Sequence, residues 1–126
     1  MTSVPKSVWI GRGISLLPIL MFTFSAVMKF FPTPESIQGL AHAGIPETAI
    51  MTIAFLEILS LVLYAIPRTA VIGAILLTGY LGGAIFAHVR IGEQPFIQFA
   101  LGIMVWGGLY LRDKRLQSLI PLRKNI

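Results

Sequence analysis

Residues 47 to 66 read Glu47-Thr-Ala-Ile-Met-Thr-Ile-Ala-Phe-Leu-Glu57-Ile-Leu-Ser-Leu-Val-Leu-Tyr-Ala-Ile66. Twenty residues of this kind match the hydrocarbon thickness of a bilayer when helical, and the stretch lies within reach of other apolar runs of similar length. Its centre holds a carboxylate, Glu57, roughly ten residues from either end. At mid-membrane a charge costs about 2.5–3.5 kcal/mol on insertion scales. Glu57 is therefore expected to face the protein interior, with a partner or a proton, and it heads the candidate functional residues.

Three more apolar runs flank this one, roughly residues 14–31, with a start as early as Val8, then 69–89 and 95–111. Prolines and glycines punctuate them. Pro32 and Pro34 follow the first run. Pro46 suits a helix start, where no N–H is needed. Pro67-Arg68-Thr69 forms a tight connection with Thr69 as a cap, and residues 92–95 form the last turn. A short surface helix is expected over about 34–43, capped by Thr33 and stopped by Gly44. The tail from Asp113 to Ile126 alternates basic residues with Leu116, Leu119, Ile120 and Leu122, as an interfacial amphipathic segment does. The first run resembles a secretory signal only superficially: it is long, lacks a small-residue cleavage site and continues into Lys29. The expectation is a single membrane domain over 1–126, all-α, folded as a four-transmembrane-helix bundle.

Composition agrees. Of 126 residues, 56% are hydrophobic and 12% are charged, against roughly a quarter charged in soluble domains. With no cysteine, disulfides, thiolate-bound clusters and thiol redox chemistry are excluded. The net charge of +5 sits at the ends of apolar runs and reads as topology rather than as a nucleic-acid surface. Lys6, Arg12, Arg68, Arg112, Lys114, Arg115, Arg123 and Lys124 share one side of a four-span chain; Lys29 and Arg90 share the other. That asymmetry places both the N- and C-termini in the cytoplasm, in a multi-pass protein of the cell membrane. Trp9, Tyr64 and Tyr110 would mark the inner interface; Phe30, Phe31, Phe96 and Phe99 would mark the outer one.

Helical spacing gathers polar residues into faces. Glu57, Ser60 and Tyr64 share one; Pro18, Phe22, Ser25 and Lys29 another; Tyr80, Ala84 and His88 a third; Gln98, Gly102 and Trp106 a fourth. In a small bundle such faces point inward. Counting from the outer surface puts Glu57 level with Thr78, Tyr80, Thr23, Phe22 and Trp106. Lys29 and His88 lie further out, with Gln98 just below. Lys29 is expected mainly as an interface anchor snorkelling outward, with inward reach to Glu57 as the alternative. The candidate polar interior is Lys29, Glu57, Tyr80, His88, Arg90 and Gln98. Gly79 and Gly83 form a small-residue stripe, expected to let helices approach closely; a flat cofactor lying on that surface is the other reading. His42 and His88, without cysteine and with carboxylates only loosely placed, do not make a metal site.

Four pieces of the chain together resemble the DoxX-like membrane proteins. They are Leu77–Glu93 (LTGYLGGAIFAHVRIGE), Ser25–Lys29 (SAVMK), Phe55-Leu56-Glu57, and Trp106–Asp113 (WGGLYLRD). The element His88-x-Arg90-x-Gly92-Glu93 is the most specific. The resemblance implies a four-helix membrane bundle and little chemistry. The family takes its name from a subunit associated with quinone-linked thiosulfate oxidation, and distant relatives act as cargo receptors or receptor-assembly factors. By position it points to Lys29, Glu57, His88 and Arg90, with no catalytic role attached. Three readings follow. The leading one is an accessory or assembly subunit without catalysis of its own, working with a membrane-protein partner or as a homo-oligomer. The second is a quinone- or lipid-binding subunit of a redox enzyme. The third is a small transporter or proton pathway.

Overall fold

The structure is a computed structural model and describes residues 4–123. Six helices follow one another: α1 (Lys6–Phe30), α2 (Pro34–His42), α3 (Glu47–Ala65), α4 (Ala70–Arg90), α5 (Phe96–Arg112) and α6 (Lys114–Gln117), with a 3-10 turn at Pro67–Thr69 before α4. No strand occurs among the described residues. The α1 and α3 helices and the run Pro67–Arg90 are long and apolar enough to cross a membrane, and α5 is a shorter apolar helix of the same character. This architecture is compatible with the expected four-helix membrane bundle. The last three residues of the expected interfacial tail, 124–126, lie outside the described residues, Lys124 among them.

Local signals set the boundaries. At α2, the Thr33 side chain accepts from the Ser36 N–H while Ser36 Oγ accepts from the Thr33 N–H, a reciprocal cap. Gly44 ends that segment with φ +91°, a backbone conformation other residues rarely adopt. Thr69 departs from expectation. Its hydroxyl donates to the carbonyls of Leu63 and Ile66, closing the end of α3 rather than capping α4.

The four long helices form a ring. The α1 helix packs on α5 and α3, and α4 packs on α3 and α5, while the backbones of the diagonal pairs stay apart. Outward-facing side chains such as Phe24, Phe55, Ile75, Phe86 and Ile103 are exposed, which suits a hydrocarbon surround. The core runs through Phe22, Leu61, Tyr64, Leu77, Val105 and Leu109.

Two contacts draw the helices together at the end of the bundle that holds the α3–α4 turn. A Cβ placed on Gly73 would collide with the backbone of Tyr64, and one on Gly11 would lie 2.6 Å from the carbonyl oxygen of Gly108. Gly108 in turn abuts Ser15. There the helix backbones touch because there is no side chain between them. Tyr64, expected at the depth of the inner interface and on the inward face with Glu57 and Ser60, is fully buried. Its hydroxyl donates to the Val105 carbonyl at 2.6 Å and lies 2.9 Å from Ser15 Oγ. The single phenolic proton is used on Val105, so Ser15 is the donor to Tyr64. The Arg112 guanidinium sits 5.1 Å over the Tyr64 ring and closes this end.

Candidate functional site

At the other end of the ring, beneath α2, the polar residues converge. Glu57 lies on α3 with no exposed surface. Lys29 Nζ, on the last turn of α1, is 3.1 Å from Glu57 Oε1. The same ammonium donates to Ser25 Oγ at 2.6 Å, one turn back along α1, and Ser25 donates on to Glu57 Oε1 at 3.4 Å. Tyr80 of α4 crosses the diagonal. Its ring packs edge-on against Phe22 at 5.8 Å and lies 5.9 Å from Lys29 Nζ.

The expected anchor role of Lys29 is thus replaced by inward pairing, with only 14% of its side chain exposed. Two unit charges 4 Å apart attract by about 4 kcal/mol at an effective dielectric constant near 20. That offsets much, not all, of the cost of burying the two charges, about 2.5–3.5 kcal/mol each at mid-membrane. Snorkelling would leave Glu57 alone. The second carboxylate oxygen, Oε2, is buried without a partner among the described residues. Lys29 has three N–H donors, and two of them are engaged.

His88 and Gln98 extend the polar wall. His88 Nδ1 lies 2.7 Å from the Ala84 carbonyl, so the ring proton is on Nδ1. Its Nε2 then accepts from the Gln98 amide at 3.4 Å. Arg90 does not join them. It is exposed, and its guanidinium packs against Gly44 at the end of α2. Two positions beyond His88, about 200° around the helix, it points off the face that looks inward.

Between these side chains lies a cavity of about 540 Å³, within the range usual for small-molecule sites. Lys29, Glu57, Tyr80, His88 and Gln98 all contribute to its wall, and Leu40, Ala43 and Ile45 roof it from the α2 side. Gly79 and Gly83 line it too, and a Cβ on either would meet nothing within 4 Å. The glycine stripe expected to be a helix contact is therefore a cavity wall. The tight glycines are Gly11, Gly73 and Gly108, at the opposite end.

The face of Gln98, Gly102 and Trp106 also departs from expectation. Gly102 and Trp106 line a second space, a groove of about 440 Å³ on the α4–α5 side. Trp106 is level with Thr78 as expected, and donates to its hydroxyl at 2.7 Å, but neither belongs to the Glu57 cavity. Sequence reasoning missed Ser15 and the roof over the cavity. Ser15 shares a face with Pro18 and Phe22, and that spacing could have exposed it.

The fold and site define a helical membrane protein with a partly open, mainly apolar cavity between its helices, into which a few polar side chains project. Compared with known protein families, residues 13–108 match the DoxX-like family, and the chain belongs to it. No curated protein and no solved structure matches the chain.

Proposed function

We propose that this protein binds a lipid-soluble ligand with a polar ring, of the quinone class, in the cavity beneath α2. The observation that carries this reading is the pairing of two unlike surfaces. Gly79 and Gly83 of α4 leave one part of the lining without side chains, while Lys29 of α1, Gln98 of α5 and Tyr80 beside the glycines on α4 bring hydrogen-bond donors to the rest of it. A ring lies on the first and its oxygen atoms meet the second. The remaining N–H of Lys29 suits a carbonyl oxygen. Glu57 holds that ammonium in place.

The accessory or assembly role drew its support from the glycine stripes as contacts between helices and from the lack of a redox centre of the chain's own. With Gly79 and Gly83 lining a cavity, the first of these grounds favours ligand binding instead, and the second is untouched. A partner protein remains compatible with a bound quinone, which has to exchange electrons with a redox centre elsewhere. A transport path gains nothing from the geometry, because Phe22, Leu61, Leu77 and Val105 fill the bundle below Glu57. We place both termini in the cytoplasm, on the charge asymmetry. Reporter fusions at Arg68 should read cytoplasmic and fusions near Gly44 external.

The test is native mass spectrometry and solvent extraction of protein purified in mild detergent. Wild type should carry a quinone, or take up an added benzoquinone with a raised unfolding temperature. Gly83→Leu should fold and carry none. A wild-type protein that neither retains nor takes up a quinone would refute the reading.

A further inference from the structure

The cavity and the α4–α5 groove are neighbours, and two residues, Leu81 and Gln98, line both. The groove differs from the cavity in chemistry. Its two polar side chains besides Gln98 satisfy each other, since the Trp106 N–H donates to Thr78 and the Thr78 hydroxyl donates to the Ala74 carbonyl. The rest of its lining is hydrocarbon, with Gly82 and Gly102 giving it depth and Phe99 and Ile103 its sides. No group in it is left asking for a polar partner. Next to the groove, the unpaired hydrogen-bonding capacity lies on the cavity side, at Lys29 and at Glu57 Oε2; the other buried polar atom without a partner among the described residues, Arg112 Nη2, is at the far end of the bundle.

We infer that the groove receives the apolar chain of the same molecule whose polar ring occupies the cavity, so that the ligand is a ring carrying one long hydrocarbon chain. This rests on the cavity reading above and extends it from a head group to a whole amphiphile. The chain passes at Gln98. The bond from Gln98 to His88 is 3.4 Å long, at the weak end of the range, so turning the amide aside costs little. Leu81 is buried at 4% exposure and stays as the fixed side of the passage. Adjacent glycines on α4 serve the two spaces: Gly83 lines the cavity and Gly82 the groove, and neither has an atom within 4 Å of an added Cβ.

The experiment uses a benzoquinone bearing an alkyl chain with a mid-chain diazirine, irradiated with the purified protein and mapped by peptide mass spectrometry. A chainless benzoquinone serves as competitor. Label is expected on α5 between Phe99 and Trp106, and excess chainless quinone should reduce it at least fivefold. Gly83→Leu should abolish this label. Gly82→Leu should displace it from the groove while the chainless quinone still raises the unfolding temperature. Competed label on Met21 or Gly79 instead would overturn the inference and leave the cavity reading standing. Label in the groove that chainless quinone does not reduce would mark a bulk lipid chain and also overturn it. No competed label anywhere, with no thermal shift from the chainless quinone, would remove the cavity reading along with it.

Discussion

At the end of the bundle that holds the α3–α4 turn, the glycines bring helices into contact: Gly73 lies on the Tyr64 backbone and Gly108 against Ser15 and Gly11. Under α2, Gly79 and Gly83 have nothing opposite them. The polar groups differ in the same way. At the first end, Tyr64 bonds Val105 and Ser15, and its donor is fully used. At the second, Glu57 is held by Lys29 yet keeps an oxygen without a partner. Each end holds one buried polar atom without a partner among the described residues, Arg112 Nη2 at the first and Glu57 Oε2 at the second, but the cavity lies under α2, beside Glu57. The difference lies in whether an adjacent helix fills the space that glycine leaves.

The largest effect is expected from splitting the ion pair. Lys29→Met leaves the Glu57 carboxylate uncompensated near mid-span, and breaking a buried pair this way costs about 3–5 kcal/mol. Adding Glu57→Leu to Lys29→Met should recover most of that stability, because both charges leave together. Denaturant titration in detergent measures both. If the two substitutions simply add, the pair is not coupled.

A smaller effect separates the two glycine sets. Gly73→Ala places a methyl group on the Tyr64 backbone and should cost about 1–3 kcal/mol from overpacking. Gly83→Ala should change stability by less than about 0.5 kcal/mol. Equal costs at the two positions would mean that α4 is packed alike along its length.

Much of this architecture is legible in the sequence. Length and hydropathy define the four apolar helices, the Pro and Gly residues their turns, and Thr33 with Ser36 the start of α2. Helical spacing put Glu57, Ser25, Lys29, Tyr80 and His88 on inward faces. Periodicity gives the face of a helix and not its distance from the neighbour. That is why Gly79 and Gly83 read as packing residues, since the α3–α4 separation depends on where Gly73 clamps the pair. Arg90 read as part of the site because it lies within the same short segment as His88, although one-residue steps turn a side chain by about 100°. Spacing put Tyr64 on an inward face without naming its partners, because Ser15 and the Val105 carbonyl lie 49 and 41 positions away in the chain.

The central claim, that the end under α2 is an accessible ligand cavity while the other is sealed, is tested most directly by cysteine labelling. The natural chain has no cysteine, so each substitution gives a unique thiol. Gly83→Cys lines the cavity, and Ala74→Cys replaces a fully buried residue. A small uncharged maleimide, applied to the folded protein in detergent, should modify Gly83→Cys and not Ala74→Cys. A chainless benzoquinone should slow the first reaction. Equal labelling at both positions, or labelling at Gly83→Cys that the quinone leaves unchanged, would contradict the account.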